Sequence, residues 1–277
     1  HTPCGTIPAM IKGRENPQDT KLRETLEQVH YKIAVMSGKG GVGKSSISVN
    51  LAWALALQDL MVGLMDADIH GPNVPKMLGI EGVGFTGEQD SIDPVEVLPN
   101  LKVASVGNIG YNADQALIWR GPMKIGLIRQ FLADVVWGPL DYMIVDTPPG
   151  TGDEALTVGQ EMKPLTGIVI VTTPQDVAVL DSRKSVNFAE KMEIPVIGIV
   201  ENMADGEQFK VFGTGGGEKA AEELGVPFLG RVALDPRVVA AGDSGRPYVA
   251  DYGDEEAGRQ LLQIVDNITT YCKGVSG

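Results

Sequence analysis

Ile33–Ala34–Val35–Met36 breaks at once into Ser37–Gly38–Lys39–Gly40–Gly41–Val42–Gly43–Lys44–Ser45–Ser46, followed by apolar residues at helical spacing, Val49, Leu51, Ala52 and Leu55. An apolar strand, a glycine loop and a helix in immediate succession leave a chain few folds to choose from. Gly38 through Ser45 fits G-x-x-x-x-G-K-S/T in the strand–loop–helix context that this motif requires. Glycines remove the Cβ atoms that would stop successive backbone N–H groups from curling around an anion. The helix start adds unpaired N–H groups and the positive end of its dipole. The loop Gly38, Lys39, Gly40, Gly41, Val42, Gly43, Lys44, Ser45 and Ser46 is therefore read as a nucleotide phosphate site. Lys44 is expected along the β- and γ-phosphates and the Ser45 hydroxyl on Mg²⁺.

Further apolar runs end in carboxylates. Val62–Met65 reads as a buried strand delivering Asp66 and Asp68 to its carboxyl end, the edge where open α/β sheets collect ligands. We assign Asp68 to the attacking water and Asp66 to the surroundings of the magnesium. His70 reads as a loop residue rather than a base, because phosphoryl transfer depends on positioning and charge. Tyr142–Val145 ends in Asp146, a Walker B pattern that places this carboxylate on magnesium-bound water, and Thr147–Gly152 follows as a loop able to sense a γ-phosphate. The expected metal set is thus Ser45, Asp66 and Asp146, and the expected catalytic residues are Lys44 and Asp68, while Lys39 taken alone is one more solvated cation near a phosphate.

Strands are expected over Leu101–Val106, Gly167–Thr172, Val196–Val200 and Phe228–Val232, with a surface excursion over Gly79–Pro99. A helix reads from Pro122 through Val135, and Arg120 before it suits a phosphate, a partner subunit or a surface salt bridge. Val177–Met192 reads as a helix with Val179, Leu180, Val186 and Ala189 inward and Asp181, Arg183 and Lys184 on its polar side. Asn202 follows a strand, where its amide suits either an adenine edge or a turn. Gly213–Gly217 is a second glycine turn, with no Lys–Ser pair to mark it as a phosphate site. The alternation of strands and helices predicts an α/β fold: a single three-layer domain over residues 31–277, mostly parallel sheet with helices on both faces, after an extension over 1–30.

Composition narrows the partners. A net charge of −13 opposes nonspecific nucleic-acid binding, which needs a basic face. No apolar run approaches the roughly 18 residues of a membrane span, and the helical pattern over Asp254–Cys272 lacks a basic face for lipid, so it is expected to dock on the core. No secretory signal is apparent, and Cys4 and Cys272 make no disulfide framework, which points to a cytoplasmic protein.

The second lysine of the loop, Lys39, makes it GKGGVGKS, which resembles the deviant Walker A loop of the MinD/ParA/nitrogenase-iron-protein class. That resemblance implies a homodimer with ATP between subunits and Lys39 crossing to the partner's nucleotide as a third catalytic residue. With LMDADIHGPNVPKMLG, WRGPM, YMIVDTPPGTGDE, VTTPQDVAVLD, VENM, FGTGGGEKAAEELGVPFLG and LDP, the chain from Tyr31 onward resembles the Mrp/ApbC group of P-loop ATPases. The resemblance implies an ATP-hydrolysing iron–sulfur cluster carrier or scaffold serving apo iron–sulfur proteins, and Asn202 as an adenine contact. The alternative is a regulatory ATPase of the MinD/ParA type without cluster binding; a metabolic kinase lacks an identifiable acceptor site. In one place the pattern departs from the group. A C-x-x-C pair is expected between Met203 and Phe212, to share a 4Fe–4S cluster with a second subunit, but Ala204–Val211 holds no cysteine. Either the site has been lost or a loop is missing from the sequence, and the family-like flanks favour the missing loop. Cys4 resembles a remnant of an N-terminal cysteine cluster.

Overall fold

A computed structural model of the chain describes residues 16–87, 91–109, 124–175 and 177–275. Its central strand is β1 (Val29–Met36), in which every residue but His30 is buried. Side chains alternate across a strand, and here the alternation divides two cores. Ile33 and Val35 join the cluster on one face of the sheet, while Ala34 and Met36 join the cluster on the other. Both faces being covered, the strands read as continuous apolar runs, as parallel strands do.

The chain runs α1 (Pro17–Glu27), β1, α2 (Lys44–Ala56), β2 (Val62–Asp66), α3 (Val74–Met77), β3 (Val95–Leu98), β4 (Leu101–Ser105), α4 (Lys124–Asp134), β5 (Leu140–Asp146) and α5 (Asp153–Glu161). It continues through β6 (Gly167–Thr172), α6 (Ala178–Met192), β7 (Val196–Ala204), α7 (Gly216–Leu224), β8 (Phe228–Ala233), α8 (Pro236–Asp243), α9 (Tyr248–Tyr252) and α10 (Glu256–Val275). The strands lie in the order β3-β4-β2-β5-β1-β6-β7-β8. All neighbours are parallel except β3, which runs antiparallel on β4 and accounts for the excursion after Gly79. Side chains of α2, α8, α9 and α10 cover one face, and those of α1, α4, α5, α6 and α7 the other. The three-layer α/β architecture is as expected.

At the amino end, Leu22 and Leu26 of α1 are buried in the second core, and Lys21 reaches Asp134 of α4 at 2.9 Å. At the carboxyl end, α10 buries Leu261, Ile264, Val265 and Ile268. Its Gln260 accepts from the Ala233 N–H at 2.7 Å and its Asn267 donates to the Leu229 carbonyl at 2.8 Å, so polar groups of the outer strand β8 are capped by this helix. The apolar face of α10 is therefore spent on the core. Among the described residues no helix is long and apolar enough to cross a membrane.

Two local expectations need correction. Leu180 is 64% exposed, and α6 instead turns Ser182 and Ser185 inward. β7 continues past Val200 to Ala204, so Asn202 lies within the strand, next to an irregularity at Met203, whose φ is 60°. Asp235 is the N-cap of α8, accepting from the Arg237 N–H at 2.8 Å. Cys4, Arg120, Pro122 and the rest of WRGPM lie outside the described residues.

Candidate functional site

β1 delivers the glycine loop to the carboxyl edge of the sheet, and α2 starts at Lys44. Gly43, at φ 81°, adopts the left-handed conformation that a side chain resists. A Cβ there would also stand 2.1 Å from Asn202 Nδ2. That amide donates to the Val42 carbonyl at 2.9 Å, so Asn202 ties β7 to the loop and keeps its Oδ1 as an acceptor.

Beneath the loop, the register of β2 on β5 sets Asp66 beside Asp146, both fully buried. Asp146 gathers the loop's polar side chains. Its Oδ1 accepts from Lys44 Nζ at 2.7 Å and Ser48 Oγ at 2.7 Å, and its Oδ2 accepts from Ser45 Oγ at 2.6 Å. Asp66 accepts from Ser105 Oγ at 2.8 Å and from the Asp68 N–H at 3.0 Å. Burial, with the Asp146 carboxylate alongside, pushes the Asp66 carboxyl up to about 8. Two buried carboxylates short of positive charge, with the Ser45 hydroxyl at their edge, form an oxygen-donor set that suits Mg²⁺.

A cavity of about 190 Å³ opens above these groups, lined by Gly40, Gly41, Lys44, Ser45, Asp68 and Pro149 among others. Asp68 is thus brought to the phosphate loop, its Oδ1 accepting from the Gly71 N–H at 3.2 Å. The loop after β5 is laced to the same place. Thr147 Oγ1 donates to the Val35 carbonyl at 2.8 Å and the Gly150 N–H to the Ser37 carbonyl at 2.8 Å. An adjoining cavity of about 280 Å³, lined by Val49, Met77, Asn202, Leu234, Val238 and Tyr248 among others, is mostly apolar. It has the character of a site for a flat ring system. His70 is exposed, 3.5 Å from Glu154 of α5, and stands outside both cavities.

Sequence reasoning missed Ser48 and Ser105, each donating to one of the paired aspartates. It also missed Asp181, which forms an ion pair with Lys39. Ser48 had a signal, one helical turn after Lys44 on the same face of α2; Ser105 and Asp181 reach the site only through strand order and helix docking.

The second glycine turn is already filled. Glu201, fully buried in β7, accepts from the Gly215 N–H at 3.0 Å and the Gly217 N–H at 2.6 Å at the start of α7. Between Ala204 and Gly213 the chain closes on itself as a turn. Asp205 donates its N–H to the Gly213 carbonyl at 2.8 Å, and its Oδ1 accepts from Val211, Phe212 and Gly213 N–H groups at 2.6–3.0 Å. These hydrogen bonds leave Phe209, Val211 and Phe212 at the surface. Among the described residues the single cysteine, Cys272, is buried in α10, burial pushing its thiol up to about 12. No group of three or more His, Cys, Asp or Glu among them is placed to hold a metal.

A family described as ParA: NUBPL iron-transfer P-loop NTPase matches residues 28–269. The chain belongs to this family. Its similarity to other members extends over nearly their full length. It is 48% identical over 263 residues to a protein of Methanocaldococcus jannaschii named iron–sulfur cluster carrier protein, covering 93% of this chain and 90% of that one. A Pyrococcus horikoshii protein of the same name is 43% identical over 292 aligned positions, covering 100% of this chain and 97% of the other. Among solved structures, a nucleotide-binding protein in complex with ADP from Archaeoglobus fulgidus is 37% identical with a TM-score of 0.72, covering 82% of this chain and 91% of that one. MinD from Pyrococcus horikoshii with Mg-ADP, at 20% identity and a TM-score of 0.69 over 89% of this chain and 98% of that one, shares the fold. The NUBPL-family chain therefore combines an intact phosphate loop with a turn after β7 that holds no thiols.

Proposed function

We propose that the chain binds and hydrolyses Mg·ATP and serves as an ATP-controlled carrier in iron–sulfur cluster transfer to apo proteins, working as a homodimer. The observation that carries the nucleotide reading is the convergence of Lys44, Ser45 and Ser48 on Asp146 under the glycine loop. Backbone N–H groups of Gly38–Ser46 bind the phosphates, and Lys44 leaves Asp146 for the β- and γ-oxygens. Ser45, Asp146 and Asp66 would hold Mg²⁺, which when bound would supply charge neutralisation to the transferring phosphoryl group. Asp68, in the same cavity, orients the attacking water. Asn202 offers its free Oδ1 to an exocyclic amino group such as that of adenine, next to the apolar cavity. Lys39 crosses to the nucleotide of a second copy.

The carrier role is supported by the relatives' names. The described residues do not themselves fit a cluster, the turn after β7 having no cysteine and Cys272 being enclosed. A cluster carried as cargo therefore needs thiols beyond these, such as the C-x-x-C loop expected between Met203 and Phe212. The test is anaerobic incubation of the full chain with iron and sulfide, followed by a visible spectrum and by ATP-dependent transfer to an apo ferredoxin. Cluster absorbance that survives Cys272→Ser, together with transfer, supports carriage. Absence of both absorbance and transfer leaves the regulatory ATPase of the MinD/ParA type as the function.

A further inference from the structure

Lys39 is held within its own subunit. Its Nζ lies 3.2 Å from Asp181 Oδ2 in the first turn of α6, and the Asp181 side chain is only 15% exposed. Lys184 approaches the other carboxylate oxygen at 3.6 Å, so two cations share one anion. The helix and the loop also touch through their backbones: a Cβ on Gly38 would stand 2.0 Å from the Asp181 carbonyl oxygen. That contact fixes α6 against the loop whether or not the carboxylate is charged. Val177 and Leu180, both just before Asp181 in sequence, are 47% and 64% exposed.

We infer that Asp181 is a positioning residue that keeps Lys39 turned back until a second copy offers it a stronger anion. The inference rests on the homodimer reading above. An ammonium at short range from one carboxylate has to leave it to reach a phosphate on another subunit. A polyphosphate outcompetes a carboxylate already shared with Lys184, so the hold is releasable. A partly exposed ion pair of this kind is worth little, and removing it shifts an equilibrium by about two- to fivefold.

Asp181→Asn in the full chain tests this, since the amide keeps the shape of the side chain and the backbone contact. Two readouts separate the inference from the reading beneath it. In the nucleotide-free protein, acylation of Lys39 by acetic anhydride, followed by mass spectrometry, is expected to run about two- to fivefold faster in the variant; an unchanged rate overturns the hold. In sedimentation with Mg²⁺ and a non-hydrolysable ATP analogue, the variant is expected to self-associate at about two- to fivefold lower protein concentration. Weaker or unchanged association alongside a Lys39→Ala variant that no longer associates overturns the inference alone. If Lys39→Ala associates like the parent, the crossing lysine fails, and the acylation rate still decides whether Asp181 holds it.

Discussion

Two strands of this sheet end in glycine-rich turns that open helices, and the two turns have opposite fates. After β1, the loop Gly38–Gly43 frames an open cavity with Lys44, Ser45 and Asp68 on its walls. After β7, the turn Gly213–Gly217 has its N–H groups taken by Glu201, a carboxylate from the chain itself. Both helix starts attract an anion for the same electrostatic reason. What separates a binding site from a structural clamp is whether the fold supplies that anion internally. Glycine content alone does not tell the two apart; the side chain at the end of the neighbouring strand does.

The largest effect that would break this comparison lies in the first turn. Lys44→Ala is expected to remove measurable ATP binding by titration calorimetry, while the fold survives because a buried Lys–Asp pair is lost beside two serine hydroxyls still donating to Asp146. Next, Asp68→Ala should bind Mg·ATP nearly as the parent does yet lose about a hundredfold or more in hydrolysis, the range expected for removal of a positioned general base. Unchanged phosphate release would return Asp68 to a loop carboxylate. In the second turn, Glu201→Ala is expected to cost about 3 kcal/mol in urea unfolding, since it strands the buried Gly217 N–H and the part-buried Gly215 N–H, and to leave nucleotide affinity unaltered. A loss of ATP affinity there, with stability intact, would show that both turns serve the nucleotide.

Much of the first site was legible in the sequence, because its parts are local. Loop, Lys44 and Ser45 follow one another, and Asp146 ends an apolar run recognisable as a strand. What was not legible depends on elements far apart in the chain. Asp181 reads as a surface charge on α6 until strand order brings β6 beside β1 and the first turn of α6 onto Gly38. Glu201 reads as a strand-end carboxylate like Asp66 or Asp146, and only the docking of α7 shows that it faces N–H groups rather than a ligand. Leu180 was placed inward by its period; serines at Ser182 and Ser185 are buried instead, leaving Leu180 on the surface.

The smallest effect concerns charge. Glu201 receives two N–H donors and has Arg231 at 3.7 Å, whereas Asp66 faces another carboxylate with one hydroxyl and one N–H for support. Burial and Asp146 raise the Asp66 carboxyl to about 8, far above its unfolded value near 3.9. Between those two values the folded protein holds a proton that the unfolded chain has released. The slope of unfolding free energy with pH follows protons bound when unfolded minus protons bound when folded, which here is negative. Stability of the nucleotide-free protein should therefore fall as pH rises toward 8, by about 1 kcal/mol per unit at most between pH 6 and 8. Urea midpoints across that range check it. The fall should shrink in Asp66→Asn, which has no proton to lose, and, with the two aspartates holding Mg²⁺ as proposed, on adding Mg·ADP. A slope that persists in Asp66→Asn would locate the titration elsewhere and leave the two turns electrostatically alike.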